Sequence, residues 1–416
     1  MAKSSRSYVS DLRGLARLAT HAIGGLVDLV EAMHHTISNP FSTGGARTRP
    51  RTRGLTGLVY RSVRGVNRLV GRQLDAVLEQ LTPELAGGSS SPEREAVLAA
   101  LNGVLGDYLA ATGNPLAIPM SLRRHGRAVE PETRALAAAF PQAGGKLAVL
   151  AHGLCLNDLQ WNREGHDHGA VLARDLGYTP LYLHYNTGLH TSINGRALAG
   201  LLEAVLAQWP QPVEELVIVA HSMGGLVARS ACHCAQAEGH AWPRVLRRLA
   251  FLGTPHHGAP LERGGNWLEA ILGATPYSRP FARLGRIRSA GITDLRYGNV
   301  LDEDWSGRDR FARGRDTRRP VPLPDGVQCY AMAATRGRKP GDLRDRLLGD
   351  GLVPVSSALG IHEDPRRSLM IPKLRQWIGY GMSHLDLLSE SRVSDRLVRW
   401  FSSAVRTPGG HRDAGR

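Results

Sequence analysis

The sequence predicts an α/β fold, a mostly parallel sheet with helices on both faces, preceded by a helical region. Three observations predict it. Short apolar runs of strand length recur after residue 118: 146–151 (KLAVLA), 181–185 (LYLHY), 216–220 (LVIVA), 249–253 (LAFLG) and 327–331 (VQCYA). Their apolar residues are continuous rather than alternating, which marks strands buried on both faces. Between them lie stretches with helical spacing, such as 195–209 and 224–236, so strand and helix follow in turn. The composition agrees: 416 residues with 42% hydrophobic and 21% charged side chains can bury a sizeable core.

Taken in order, the chain opens with a helical pattern. Leu12, Leu15, Leu18, Ala22, Ile23, Leu26, Leu29, Val30 and Met33 recur every three or four residues. Asn39-Pro40 ends that run, and a linker rich in Gly, Arg, Thr and Pro follows. A second amphipathic run covers about 57–81. A third starts at Ser91, an N-cap with Pro92 at the first helical position, and ends near Gly113-Asn114-Pro115. The expected organisation is therefore an N-terminal helical region over 1–115, an α/β domain over 116–404 and a disordered tail over 405–416. The stretch from about 256 to 325 is long for a connection and predicts a cap or lid with a helix around 266–272. Its Trp267, Tyr277, Phe281 and Ile287, with Arg279, Arg283, Arg286 and Arg288, suit an acyl chain with an anionic head group. A cap that only packs on the core is the equal alternative.

The formal net charge of +15 favours anionic partners. Between 41 and 72 the charged residues are Arg47, Arg49, Arg51, Arg53, Arg61, Arg64, Arg68 and Arg72, with no acid among them. Such a segment beside an apolar helix can lie on an anionic membrane. The alternative is a helical hairpin with a solvated charged face. Little aromatic interleaving accompanies these arginines, so no nucleic-acid partner is expected. Four cysteines, Cys155, Cys232, Cys234 and Cys329, make no disulfide framework and favour a reducing compartment. Cys232-His233-Cys234 lacks a second ligand pair at zinc spacing. Asp11, Arg13 and Arg17 interrupt any signal-peptide core, and no run reaches the roughly 18 apolar residues of a membrane span. The expected location is cytoplasmic, with peripheral membrane association left open. Nothing in the sequence sets the oligomeric state.

In a parallel sheet, functional residues gather where strands end. After 216–220 come His221-Ser222-Met223-Gly224-Gly225. This fits a nucleophile elbow, a sharp strand-to-helix turn that exposes a serine oxygen and needs small residues two before and two after it. Ala220 and Gly224 satisfy that need. The following helix points its positive end at a developing oxyanion. After 146–151 come His152-Gly153-Leu154-Cys155, a turn placed to supply a second oxyanion donor, so the donors expected are the amides of Leu154 and Met223. Cys155 then lies near the site without being the nucleophile. An acid and then a histidine should follow in the chain. Asp350 stands between Gly349 and Gly351, and His384 lies in Met382-Ser383-His384-Leu385-Asp386 before a terminal helix. Ser222, Asp350 and His384 are thus the expected nucleophile, orienting carboxylate and base. Asp342 and Asp345 compete for the acid position without glycine flanks, and His362 competes as base. His166-Asp167-His168, with His190, reads as either a metal cluster or rim residues.

The motifs HGLCLND, AHSMGGLVARS, FLGTPHHGAP, GDGLVPVSSA and YGMSHLDLL together resemble α/β-hydrolase lipases and esterases. The resemblance is to bacterial triacylglycerol lipases and to the PGAP1-like (GPI inositol-deacylase-like) hydrolases, over roughly 140–400. It implies an α/β-hydrolase fold and serine ester hydrolysis through an acyl-enzyme on Ser222. It also makes His256 and His257 walls of the site, and His152, Gly153, Cys155 and His221 are assigned with them to substrate binding. The substrate implied is a small-molecule or lipid-like ester. No cofactor is expected. Some lipases of this type hold a structural calcium near the histidine loop, and Asp386 and Glu390 match two of its positions. The alternative for Asp386 is support of the first turn of the next helix. Two further functions stay open: an acyltransferase or thioesterase using the same triad, and a non-catalytic basic membrane-binding scaffold.

Overall fold

The computed structural model describes residues 13, 14, 16–20, 61, 91–259, 288–309, 316–339 and 349–403. Among them eight strands form one sheet in the order β2-β1-β4-β3-β5-β6-β7-β8. The strands are β1 (Ser121–Arg124), β2 (Arg127–Val129), β3 (Lys146–Ala151), β4 (Thr179–His184), β5 (Glu215–His221), β6 (Leu246–Leu252), β7 (Gln328–Thr335) and β8 (Gln376–Tyr380). Strands β4, β3, β5, β6, β7 and β8 are mutually parallel, and β1 runs antiparallel to both β4 and β2. The described helices are α1 (Pro92–Ala111), α2 (Thr133–Ala139), α3 (His168–Leu176), α4 (Thr191–Gln208), α5 (Met223–Glu238), α6 (Ala290–Asp294), α7 (Val355–Ala358) and α8 (Ser391–Ser402). This is the α/β architecture that the alternating runs predict.

The continuous apolar runs become central strands because each face of the sheet has its own core. Leu147, Val149, Ile218, Ala220, Leu249 and Phe251 pack with Leu198 and Leu202 of α4 and Leu226 and Val227 of α5. Their neighbours Ala148, Leu150, Val217, Val219, Ala250 and Leu252 pack on the other face with Leu172 of α3 and Val393, Leu397, Trp400 and Phe401 of α8. Side chains two apart share a face, so a strand covered on both sides must be apolar at every position. Register keeps the strand ends level: Val149 lies opposite Ile218, and Ala220 opposite Phe251. Strands β1, β2 and β8 have no such run and were not foreseen. They lie at or near the sheet edges, where their side chains are mostly half-buried or exposed.

By its contacts the chain divides into two units, Met1–Ser91 with Leu109–Ala117, and Pro92–Tyr108 with Ile118–Arg416. In the first, residues 13, 14 and 16–20 are helical. Arg17 Nη1 donates to Gly113 O at 2.8 Å, and Asn114 Nδ2 donates to Gly14 O at 3.0 Å. The rest of the predicted N-terminal helices, the predicted cap helix and the 405–416 tail lie outside the described residues, as do Asp342, Asp345 and all the cap side chains named above except Arg288. The second unit holds the whole sheet. No described helix is long and apolar enough to cross a membrane.

Candidate active site

Ser222 sits between the last residue of β5 and the first of α5, with φ 54° and ψ −124°. An L-residue rarely adopts this conformation, so the surroundings must enforce it. Ser222 N donates to Leu252 O at 2.8 Å, which ties the turn to the end of β6. The small residues around it are explained by close approach. A Cβ on Gly224 would stand 2.5 Å from Ala151 O and 2.6 Å from His152 O, and one on Gly225 would stand 2.0 Å from Thr254 Oγ1. Ala220 is fully buried in the same seam. The loop after β3 closes on the serine from the other side, since a Cβ on Gly153 would lie 2.9 Å from Ser222 Cβ.

That loop carries Leu154, and Met223 opens α5. Neither amide has a hydrogen-bond partner among the described residues. Both segments meet at Ser222. Side chains that the sequence did not single out hold the loop. Tyr185 donates its hydroxyl proton to His152 O at 2.7 Å, and the Thr187 hydroxyl accepts from Cys155 N at 3.2 Å. Both follow β4, and only the pairing of β4 with β3 brings them here.

His384 Nδ1 lies 2.6 Å from Asp350 Oδ2. The Asp350 side chain is fully buried, and its other oxygen accepts from Leu352 N at 2.9 Å and Val353 N at 2.8 Å. A carboxylate held by two backbone donors cannot swing, and it obliges Nδ1 to carry the ring proton. Gly349 and Gly351 adopt φ 52° and 97°, which the turn around Asp350 requires. The rival base candidate His362 lies elsewhere. His362 Nδ1 accepts from Asp364 N at 2.9 Å, and its ring meets that of His257.

The remaining predicted site residues surround this core. His221 is buried, and its Nε2 lies 3.1 Å from His384 O. A carbonyl only accepts, so Nε2 carries the proton. Burial, and then the neighbouring His384, hold the His221 imidazole far below the usual histidine range. His152 is buried with its ring stacked on Tyr185, and its Nδ1 lies 2.9 Å from Gly153 O. Burial and the nearby His184 lower it to about 3. Cys155, at φ 59°, is buried, and burial pushes its thiol up to about 12, so it is a poor nucleophile. His256 is fully buried, edge-on to Phe251, with Nδ1 3.4 Å from Arg229 Nη1. His257 is half-buried, and its amide donates to Ser357 Oγ at 3.1 Å.

Asp386 Oδ2 accepts from Ser383 N at 2.7 Å, and the Glu390 carboxylate meets Arg392 Nε at 3.3 Å. Both carboxylates therefore have protein partners. Among the described residues no group of three or more His, Cys, Asp or Glu side chains is arranged to hold a metal ion. His166 Nε2 lies 3.0 Å from His168 Nδ1, and His168 Nε2 lies 2.9 Å from Leu387 O. His190 pairs with Asp294 at 3.1 Å and stacks on Trp305. A cleft of ≈ 780 Å³ between the β1–β4 edge and α3 is lined by Arg124, Phe140, His166, Asp167 and Tyr182. None of Ser222, Asp350 or His384 lines it, so the cleft lies apart from the serine.

The chain was compared with known proteins. A family model described as a PGAP1-like alpha/beta domain matches residues 168–315. No curated protein matches the sequence. Among solved structures, the mature lipase BlEst2 of Bacillus licheniformis is 17% identical, with a TM-score of 0.38, over 61% of this chain and 91% of that one. Lipase B of Aspergillus fumigatus is 10% identical, with a TM-score of 0.39, over 66% of this chain and 57% of that one. An esterase of Pyrococcus furiosus is 12% identical, with a TM-score of 0.35, over 62% and 83%. The family match runs from the start of α3 into the insertion and includes the elbow. The parallel sheet and the serine turn between β5 and α5 have the layout of an α/β-hydrolase fold, and residues 168–315 are similar to a PGAP1-like alpha/beta domain.

Proposed function

We propose that the protein hydrolyses carboxylic esters of a hydrophobic, lipid-like substrate through an acyl-enzyme on Ser222. The observation that carries this reading is the 2.6 Å bond between Asp350 and His384, on a loop that also bonds to the residue preceding Ser222. With Nδ1 protonated towards Asp350, His384 Nε2 is left with a lone pair. That nitrogen takes the Ser222 hydroxyl proton as Oγ bonds to the ester carbonyl carbon. The carbonyl π electrons move to oxygen, and the amides of Leu154 and Met223 donate to it. Collapse breaks the bond to the alkoxy group, which leaves as an alcohol with the proton from His384. Water then gives a proton to His384 as it attacks the acyl carbon, and collapse breaks the bond to Ser222 Oγ, which takes that proton back as the acid leaves.

A lipid-like ester is supported by the PGAP1-like match and by the apolar and arginine side chains that the sequence places in the 256–325 insertion. The arginine-rich 47–72 segment supports peripheral association with an anionic membrane. The test is p-nitrophenyl ester hydrolysis across acyl lengths, with fluorophosphonate labelling, for the wild type and Ser222→Ala. Turnover that rises with acyl length and disappears in Ser222→Ala is expected. A folded wild type that neither turns over any ester nor labels at Ser222 would overturn the reading.

A further inference from the structure

His221 stands next to Ser222, and its ring is buried. It is buried beneath His384, ring centroids 4.7 Å apart, and its Nε2–H donates to the His384 carbonyl at 3.1 Å. We propose that His221 is a positioning residue that fixes the base to the nucleophile elbow. This rests on the reading of Ser222 and His384 given above. Asp350 bonds the far end of the His384 ring, but one hydrogen bond at Nδ1 leaves the ring free to tilt about that contact. The main chain of His384 must therefore be held separately, by Met382 N donating to Thr335 O at 2.9 Å and by three side-chain contacts. Asp386 Oδ2 accepts from Ser383 N, His221 donates to His384 O, and His168 Nε2–H donates to Leu387 O at 2.9 Å. Of these, only His221 belongs to the chain segment that carries the serine. Its bond spans 163 residues and sets the base against the nucleophile rather than against the rest of the fold.

The tautomer is part of the device. The carbonyl acceptor requires Nε2–H, which leaves Nδ1 as a bare lone pair. That atom is buried with no partner among the described residues, and the Gly153 backbone lies beside it. Any side chain larger than glycine at 153 would press on Nδ1, its Cβ lying 3.0 Å away. The same ring thus touches the loop of the expected oxyanion donor, the serine turn and the base. A neutral imidazole there also adds no positive charge beside the imidazolium that forms at His384.

The side-chain amide of glutamine can place a nitrogen near the position of histidine Nε2, whereas that of asparagine reaches only as far as Nδ1. His221→Gln should therefore keep the donor, and His221→Leu and His221→Asn should lose it. The experiment compares fluorophosphonate labelling rate, kcat and KM for these three variants, with thermal melts to establish folding. His221→Leu and His221→Asn are expected to label and turn over about 10²-fold more slowly, with KM within about twofold, because a shift of about 1 Å at the base is enough for that loss. His221→Gln is expected to stay within a few-fold of the wild type. Should His221→Leu not fold, His221→Asn carries the test. Folded variants that label at the wild-type rate, a loss confined to KM, or a glutamine variant as slow as leucine would each overturn the positioning role. A wild type that does not label at all would instead remove the serine hydrolase reading and this role with it.

Discussion

Replacing Asp350 by asparagine separates the chemistry of the candidate site from its packing. The carboxylate has three donors around it: Leu352 N and Val353 N on Oδ1, and His384 Nδ1 on Oδ2. An asparagine can place its amide group in two ways. With the amide nitrogen towards Leu352 and Val353, two hydrogen bonds are lost and two buried N–H groups are left unpaired. At about 1–3 kcal/mol each, that orientation is disfavoured by about 2–6 kcal/mol, or at least roughly 30-fold. The amide nitrogen therefore faces His384 and donates to Nδ1. The imidazole must then carry its proton on Nε2, where it can no longer accept the proton of Ser222. The expected loss in kcat is roughly 10⁴-fold, equivalent to about 5.5 kcal/mol of transition-state stabilisation. Stability should change little, because all three hydrogen bonds survive with one donor and acceptor exchanged. The assay pairs kcat on a short p-nitrophenyl ester with a thermal melt. A folded Asp350→Asn protein that retains more than about a tenth of the wild-type rate would refute the assignment of Asp350 as orienter.

Two further outcomes follow from the packing. Gly224→Ala places a Cβ within 2.6 Å of two backbone oxygens, which cannot move aside as a flexible side chain can. Overpacking of this kind costs about 1–3 kcal/mol, so a lower urea midpoint and much slower labelling of Ser222 are expected, and an unchanged midpoint would show that the β3 loop is not packed on the elbow. The second concerns acid. Burial lowers His152 to about 3 and His168 to about 4, while an unfolded histidine titrates near 6.5. Above about pH 6.5 both states are neutral. Below it the unfolded chain binds protons that the folded one refuses, so stability falls by about 1.4 kcal/mol per pH unit for each histidine until the folded values are reached. Urea unfolding at pH 7 and pH 5 checks this, and His168→Gln should flatten the slope. A slope equal to the wild type would show that His168 is not held neutral.

A feature is legible in the sequence where the requirement behind it is local. The runs at 146–151 and 216–220 announce central strands because burial on both faces demands unbroken apolar sequence. SLRR, RAV and QWIGY make no such demand, since strands at the sheet margin can leave polar side chains in water. Ser222, Asp350 and His384 stood out by chain order and by their glycine neighbours, which are local requirements of tight turns. Tyr185 and Thr187 carried no comparable mark, and His168 stood out only as a metal or rim candidate. Each acts on a backbone atom of a distant loop, and a tyrosine after a strand has the same sequence signature whether its hydroxyl meets a carbonyl or solvent. His221 was visible as a residue but not as a contact. Only the packing shows that its ring turns under His384 and away from the rim.

The buried histidines connect this packing with the proposed chemistry. His221 packs against His384, His152 and His168 lie near His221, and burial keeps all three neutral. If His221 were charged, its ring centroid would stand 4.7 Å from an imidazolium at His384. At an effective dielectric constant near 20, two unit charges at that separation repel by about 3.5 kcal/mol. That repulsion would oppose the imidazolium that forms at His384 and make it a weaker base. A leucine at 221 would avoid the repulsion but could not hold the His384 carbonyl. A lysine would hold it but bring a charge. A buried histidine supplies a donor without a cation, and the cost falls at acid pH, where the unfolded chain gains the protons that the site excludes. Acid lability and an unopposed base at His384 are therefore two consequences of the same burial.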